Sequence, residues 1–316
     1  MKTILNIMWV VALLIWAACF AMGFNYQGAS LVVSIVLLVA VFAIMAIDIF
    51  MLNKWADPEG GIDRSKAHAK EIACFVVYAV MLVLTASGFA HFITVQTEVK
   101  SEVRPLAKER IRELRIMFGN ENKDGSYWAY VTEKSETYRN MQRKNNTDVS
   151  TVNTRVAQFE DDMMGNGDFE QMRSKANSFL KECENSVDNW IPWNVVEYLG
   201  KLDENTEEWY NSLRNLSDKT DWVRETGEHY ESPVKNNESL ATKVLKPEVG
   251  DFGLLSIVLI VVLQIIVLLT YLKTKDWTRR GPVKPTGMRV YNSGTKDSKP
   301  KDTKDKENDD NFLERF

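Results

Sequence analysis

Side chains able to do chemistry are sparse between residues 96 and 249, the charged stretch of this 316-residue chain. That stretch holds one histidine, His229, and one cysteine, Cys183. A zinc site built from His and Cys needs three or four such ligands, so none is expected. Asp162, Asn166 and Asp168 around Gly167 begin to resemble a calcium loop. Met164 in its third position and Arg173 in its twelfth, where a bidentate Glu is needed, argue against it. The paired acids Asp161-Asp162 and Glu207-Glu208 are adjacent in sequence. On a helix, neighbours diverge, so these pairs read as solvated faces rather than acid–base couples. G-x-S-x-G, H-E-x-x-H and a phosphate-binding glycine loop are all missing from the sequence. No catalytic residue, metal or cofactor is assigned, and a non-enzymatic role is expected.

The residues suited to recognition are few. Trp190 and Trp193 flank Pro192 with Ile191 between. Two bulky rings around a proline predict an exposed contact, with a partner protein or with the membrane interface. Phe312, Leu313 and Phe316 stand at the tip of an otherwise polar run and read as a short docking peptide, with the terminal carboxylate as a further handle. Gln264 lies in the middle of an apolar segment. An amide there is expected to hydrogen-bond a neighbouring helix or a second copy of the chain.

The elements that carry these residues are segregated by hydropathy. A bilayer core takes about 20 predominantly apolar residues in a helix. Four segments qualify, at about 4–24, 30–52, 72–95 and 253–272. In the first, Lys2, a short apolar run and Ala17-Ala18-Cys19 also fit a signal peptide. Trp16, three places before the cysteine, and the apolar run past it favour an uncleaved span. Asp48 and His91 lie near span ends, where solvation at the headgroups is the expected fate. No span contains a proline, and no broken half-helices mark a secondary transporter.

Orientation follows the basic residues. Lys54, Arg64, Lys66 and Lys70 sit in the loop joining the second and third spans, and Lys273, Lys275, Arg279, Arg280 and Lys284 follow the fourth. Both termini and the 53–71 loop are therefore expected in the cytoplasm, most simply of a bacterium whose inner membrane holds the spans. Residues 96–249 are expected outside. They count 22 Lys and Arg against 29 Asp and Glu, a net of −7 that repels nucleic-acid phosphates.

Helical signals dominate this outer stretch. Val99, Val103, Leu106, Ile111, Leu114 and Met117 continue the third span outward, with Pro105 expected to bend it. Tyr127–Met141 predicts a second helix, and Thr147-Asp148 caps a third. A turn at Gly165-Asn166-Gly167 opens a fourth, and two shorter helices are expected over 190–230. The fold class is all-α: a four-helix transmembrane protein with a helical-bundle extracytoplasmic domain between the third and fourth spans and a disordered cytoplasmic tail. A large outer domain between spans three and four is similar to the tetraspanin plan in topology. That family's Cys-Cys-Gly motif and paired disulfides are absent, and no function is carried over.

The expected function is a multi-pass membrane scaffold or sensor. Membrane lipid and protein partners on both sides are its expected contacts, with a homo-oligomer as a further one. The alternative is a subunit of an oligomeric channel, transporter or secretion complex, which would need more polarity in mid-membrane.

Overall fold

A computed structural model of the protein describes residues 2–56, 64–120, 125–145, 148–235, 238–247, 250 and 253–275. These residues form helices and turns, with no strand among them. The tail, with Phe312, Leu313 and Phe316, lies outside the described residues, as does 57–63. Four helices are long and apolar enough to cross a membrane. They are α1 (Lys2–Tyr26), α2 (Leu31–Ala56), α3 (Arg64–Thr94) and α11 (Leu254–Thr274). α1 packs against each of the other three. A π-helical turn, Val95–Val99, joins α3 to α4 (Lys100–Met117) without a break. The apolar-to-polar helix Ala67–Met117 runs 51 residues. At 1.5 Å per residue it is about 77 Å long, more than twice a bilayer's hydrocarbon core. It is therefore long enough to serve both as a span and as the first helix of the polar domain.

The domain adds α5 (Tyr127–Lys144), α6 (Val149–Met164), α7 (Asp168–Asn189), α8 (Pro192–Ser217), and the short α9 (Asp221–Thr226) and α10 (Leu240–Leu245). Local chemistry sets their ends. Ser126 Oγ accepts the Ala129 amide at the start of α5, and the Asp148 carboxylate accepts the Ser150 and Thr151 amides at the start of α6. Gly165, at φ 64°, ends α6, and a Cβ there would lie 2.6 Å from Leu216 Cδ2. The expected pair of helices after Pro192 is instead one helix of 26 residues. Gly200 does not interrupt it, because Val195, Leu199, Leu202, Thr206, Trp209, Leu213 and Leu216 keep one face buried throughout. The chain also stays helical through Pro105.

Two apolar cores result. One lies among the candidate spans, around Trp16, Met45, Ile49, Tyr78, Phe89 and Val267. The other fills the domain around Ile111, Leu114, Phe118, Tyr127, Leu180 and Leu199. Exposure separates the two halves. Large apolar residues such as Val32, Val83 and Leu254 are 71%, 73% and 81% exposed on the candidate spans. In the domain the comparable residues are Trp128, Val149 and Trp193. A folded surface as apolar as that of the spans belongs against lipid or another protein.

Candidate functional site

The junction between spans and domain is built from three helices. The π turn carries one residue more than a regular helical turn and points Gln96 at α1, where its Nε2 donates to the Tyr26 hydroxyl at 2.7 Å. Tyr26 ends α1 and is fully buried, its ring lying 6.2 Å from that of Phe92 and belonging to the domain core. Trp190 comes to the same place from α7. Its indole nitrogen faces the Tyr26 hydroxyl without reaching hydrogen-bond geometry.

The expectation of an exposed Trp190–Trp193 pair is corrected for its first member. Trp190 is 2% exposed. It caps α7 with φ 46° and ψ 53°, a left-handed conformation usually left to glycine. That conformation costs roughly 1–2 kcal/mol for a residue with a Cβ. It turns the ring into the core and lets Pro192 start α8 one residue after Ile191. Trp193 then faces outward, 53% exposed.

Below Trp193 lies an apolar crevice of about 530 Å³ between α1 and α2. Ala18, Ala21 and Met22 line it from α1, and Leu31, Ile35 and Leu38 from α2. Its polar members are Asn25, whose Nδ2 donates to the Ala29 carbonyl at 2.7 Å, and Ser34. Ser34 Oγ is buried and has no hydrogen-bond partner among the described residues. A helical serine usually bonds back to the carbonyl four residues earlier. Thr85 does so, to the Met81 carbonyl at 2.7 Å, whereas Ser34 does not.

Deeper among the spans, α3 carries polar contacts, of which sequence reading anticipated the bond of Gln264 to a neighbouring helix but not its partner, nor the others. Trp16 Nε1 donates to Thr85 Oγ1 at 2.9 Å, and the Trp16 ring stacks on Phe89 at 4.5 Å. The Tyr78 hydroxyl donates to Gln264 Oε1, which ties α3 to α11. The Cys74 thiol faces Asp48 of α2, whose Oδ2 is buried without a partner among the described residues. At the far end of α3, Glu71 Oε1 accepts from the Tyr271 hydroxyl at 2.5 Å and from Lys275 Nζ at 2.7 Å, and Oε2 lies 3.2 Å from His68 Nδ1. Asp48 and His91 are both buried rather than solvated at span ends. The signal was available in the spacing: Glu71, Cys74, Tyr78 and Thr85 recur at three, four and seven residues, one stripe of a helix.

Within the domain, a polar cleft of about 740 Å³ lies beside Arg110, Asp203, Glu207 and Tyr210. Arg110 is nearly buried and directs Nη1 at Asp203 Oδ1, 2.5 Å away, and Nη2 at the Glu238 carbonyl, 2.8 Å away. Asp203 Oδ2 accepts from Ser239 Oγ and the Ala241 amide. Both carboxylate oxygens are thus committed to holding α10. Ser217, Asp218 and His229 also meet. His229 Nδ1 lies 2.6 Å from Asp218 Oδ1, but Ser217 Oγ directs its single proton at the Arg214 carbonyl, 2.7 Å away, with Asp218 Oδ1 at 3.1 Å. A buried hydroxyl bonded away from the imidazole is not an activated nucleophile. Cys183 is buried beneath the Tyr198 carbonyl, and burial pushes its thiol up to about 12. Comparison of the chain with protein-family models, with curated proteins and with solved structures returns no match.

Proposed function

We propose that this chain is a non-enzymatic membrane scaffold or sensor of a bacterial inner membrane. Its 96–249 domain lies outside and its 273–316 segment in the cytoplasm. The observation that carries the reading is the joint between domain and spans. α3 runs into the domain as α4, and Tyr26 of α1 is part of the domain core. A domain fixed at two points holds whatever it binds at a set height and angle to the membrane. Orientation draws support from charge: Lys54, Lys70, Lys273 and Lys275 gather at the helix ends far from the domain. Lys70 Nζ lies 4.2 Å from the Trp55 ring centre there, an arrangement suited to a membrane boundary.

In this reading Phe312, Leu313 and Phe316 dock a cytoplasmic protein, and the domain binds an envelope component. Cross-linking in intact cells, purification in mild detergent and identification of the captured proteins test it. Deleting 312–316 should remove a cytoplasmic partner without changing protein level or membrane insertion. Recovery of the same partners by the truncated chain would refute the docking role.

One observation favours the alternative of a channel, transporter or secretion-complex subunit. Asp48, buried among apolar helices with an oxygen that has no partner among the described residues, is where a proton or cation path would leave a trace. Ion or proton flux through purified protein in liposomes, abolished by Asp48→Asn, would transfer the reading to that class.

A further inference from the structure

We propose that the crevice between α1 and α2 holds one acyl chain of a phospholipid from the adjoining leaflet. Ser34 bonds the lipid's ester region and Trp193 covers it. The inference deepens the scaffold reading, on which it rests for its consequence, by naming a ligand at the joint.

Position supplies the first argument. The crevice opens at the domain end of α1 and α2, where the apolar helices give way to Asn25, Ser30 and the polar domain. If those helices span, this is the boundary between hydrocarbon and headgroups, the depth at which tryptophan is enriched. The crevice is also continuous with lipid-facing surface, because Leu31 and Ile35 line it and belong to the same exposed rows as Val32 and Val36.

Chemistry supplies the second. Among the described residues no charged side chain lines the crevice, so none there would select an ion or a charged peptide. Its volume and mostly apolar wall fall within the usual range of ligand pockets. Ser34 Oγ is the exception: a buried hydroxyl with no partner among the described residues calls for an outside one. An ester carbonyl held one helical turn inside α2 would provide it, with the chain below running along Ile35 and Leu38.

Shape suits a chain: the wall from Leu31 to Leu38 spans eight residues, about 12 Å of α2. One acyl chain is narrow enough to follow it and can bend around Met22.

Occupancy would reach the domain through α8. Pro192 and Trp193 begin that helix, and its buried face forms much of the domain core. A lipid under Trp193 would therefore seat the domain on the leaflet.

The test uses the full chain in vesicles of phosphatidylethanolamine doped with an analogue carrying a photoreactive group midway along one acyl chain. Cross-linked peptides are mapped by mass spectrometry. Adducts should concentrate on residues 18–38 and on the peptide containing Trp193. Ala18→Phe should fill the crevice and abolish them, while Val83→Phe, on an exposed face elsewhere, should leave them unchanged. Ser34→Ala should weaken lipid retention in native mass spectrometry about five-fold, the worth of one neutral hydrogen bond. Unaltered thermal unfolding certifies each variant, and Leu38→Trp replaces Ala18→Phe if that chain unfolds. Adducts spread evenly over the apolar faces of all four helices, or persisting after the crevice is filled, overturn the proposal. Because labelling reads the crevice and capture of partners reads the scaffold, the two can fail separately.

Discussion

Replacing Gly23 with alanine should separate α1 from α3, and the structure gives the scale of the damage. A Cβ on Gly23 would lie 1.8 Å from the Gly88 carbonyl oxygen and 2.7 Å from its carbon. Backbone cannot turn aside as a side chain can. Ordinary contact begins at 3.4 Å, so α1 must retreat by roughly 1.6 Å. A gap of about 0.5–1 Å already forfeits a quarter to a half of the dispersion attraction between packed atoms. The same retreat strains the Trp16–Thr85 bond on the adjoining turns. Overpacking with the loss of one interhelical bond predicts destabilisation of about 2–4 kcal/mol.

Two other alanines calibrate that figure. On Gly88 the new Cβ would meet the Phe20 ring at 2.7 Å, and a ring can swing, so the cost should be about 1 kcal/mol. Gly200 lies mid-helix in α8 with Ala241 Cβ 3.9 Å away, an ordinary contact, and alanine there should gain up to about 1 kcal/mol in helix propensity. Thermal unfolding of the three variants in one detergent should rank Gly200→Ala above the parent, then Gly88→Ala, then Gly23→Ala. A Gly23→Ala protein that melts with the parent would refute the close crossing of α1 and α3.

Two further outcomes follow from the domain. Burial holds the Cys183 thiol up to about 12 and raises the Tyr127 and Tyr230 phenols, so the folded chain keeps protons that the unfolded chain releases from about pH 8.5 to 10 upward. The unfolded state then binds fewer protons, and stability should fall as pH rises through that range; Cys183→Ala should flatten the first part of the fall, and an unchanged profile would remove the thiol from the account. Arg110→Met leaves Asp203 without its cation and frees the Glu238 carbonyl, which should cost about 3 kcal/mol and raise protease cleavage between α9 and α10, whereas Arg110→Met with Asp203→Asn, which removes the unpaired charge and keeps an acceptor for Ser239 and the Ala241 amide, should recover part of the loss.

What sequence made legible was governed by local rules. Long apolar runs yielded four helices, and apolar recurrence carried the third past its span into the polar region. Caps such as Asp148 and starts such as Pro192 are readable because one residue satisfies or fixes its own backbone. Trp190 was not legible, because its burial depends on Tyr26, 164 positions earlier, meeting it across the joint. Asp48 was misjudged for a related reason. Its distance from the helix end suggested headgroups, but it lies on the face of α2, with Met45, Ile49 and Leu52, that neighbouring helices bury. The crevice was the least visible feature, since its wall is apolar residues indistinguishable in sequence from those facing lipid.

The contacts along α3 bear on whether the protein switches or stays rigid. α3 and its π turn bond α1 through Thr85 and Gln96, and α11 through Tyr78 and Glu71. The Thr85, Tyr78 and Glu71 bonds hold the spans to one another and would survive a tilt of the domain; Gln96–Tyr26 sits at the joint itself. What resists a tilt is the unbroken run of α3 through the π turn into α4 and the burial of Tyr26 in the domain core. Fully burying an aromatic side chain is worth about 1.5–3 kcal/mol, so a ligand that drew Tyr26 out of the domain would need a differential affinity of roughly 10–150-fold between two states. Couplings of about 1–3 kcal/mol are typical of allosteric proteins and reach no further than this. The joint favours domain and spans moving as one body. A lipid under Trp193 would then change where that body stands in the membrane and which neighbour it meets, rather than send a conformational signal down α3. That is the behaviour the proposed scaffolding role calls for.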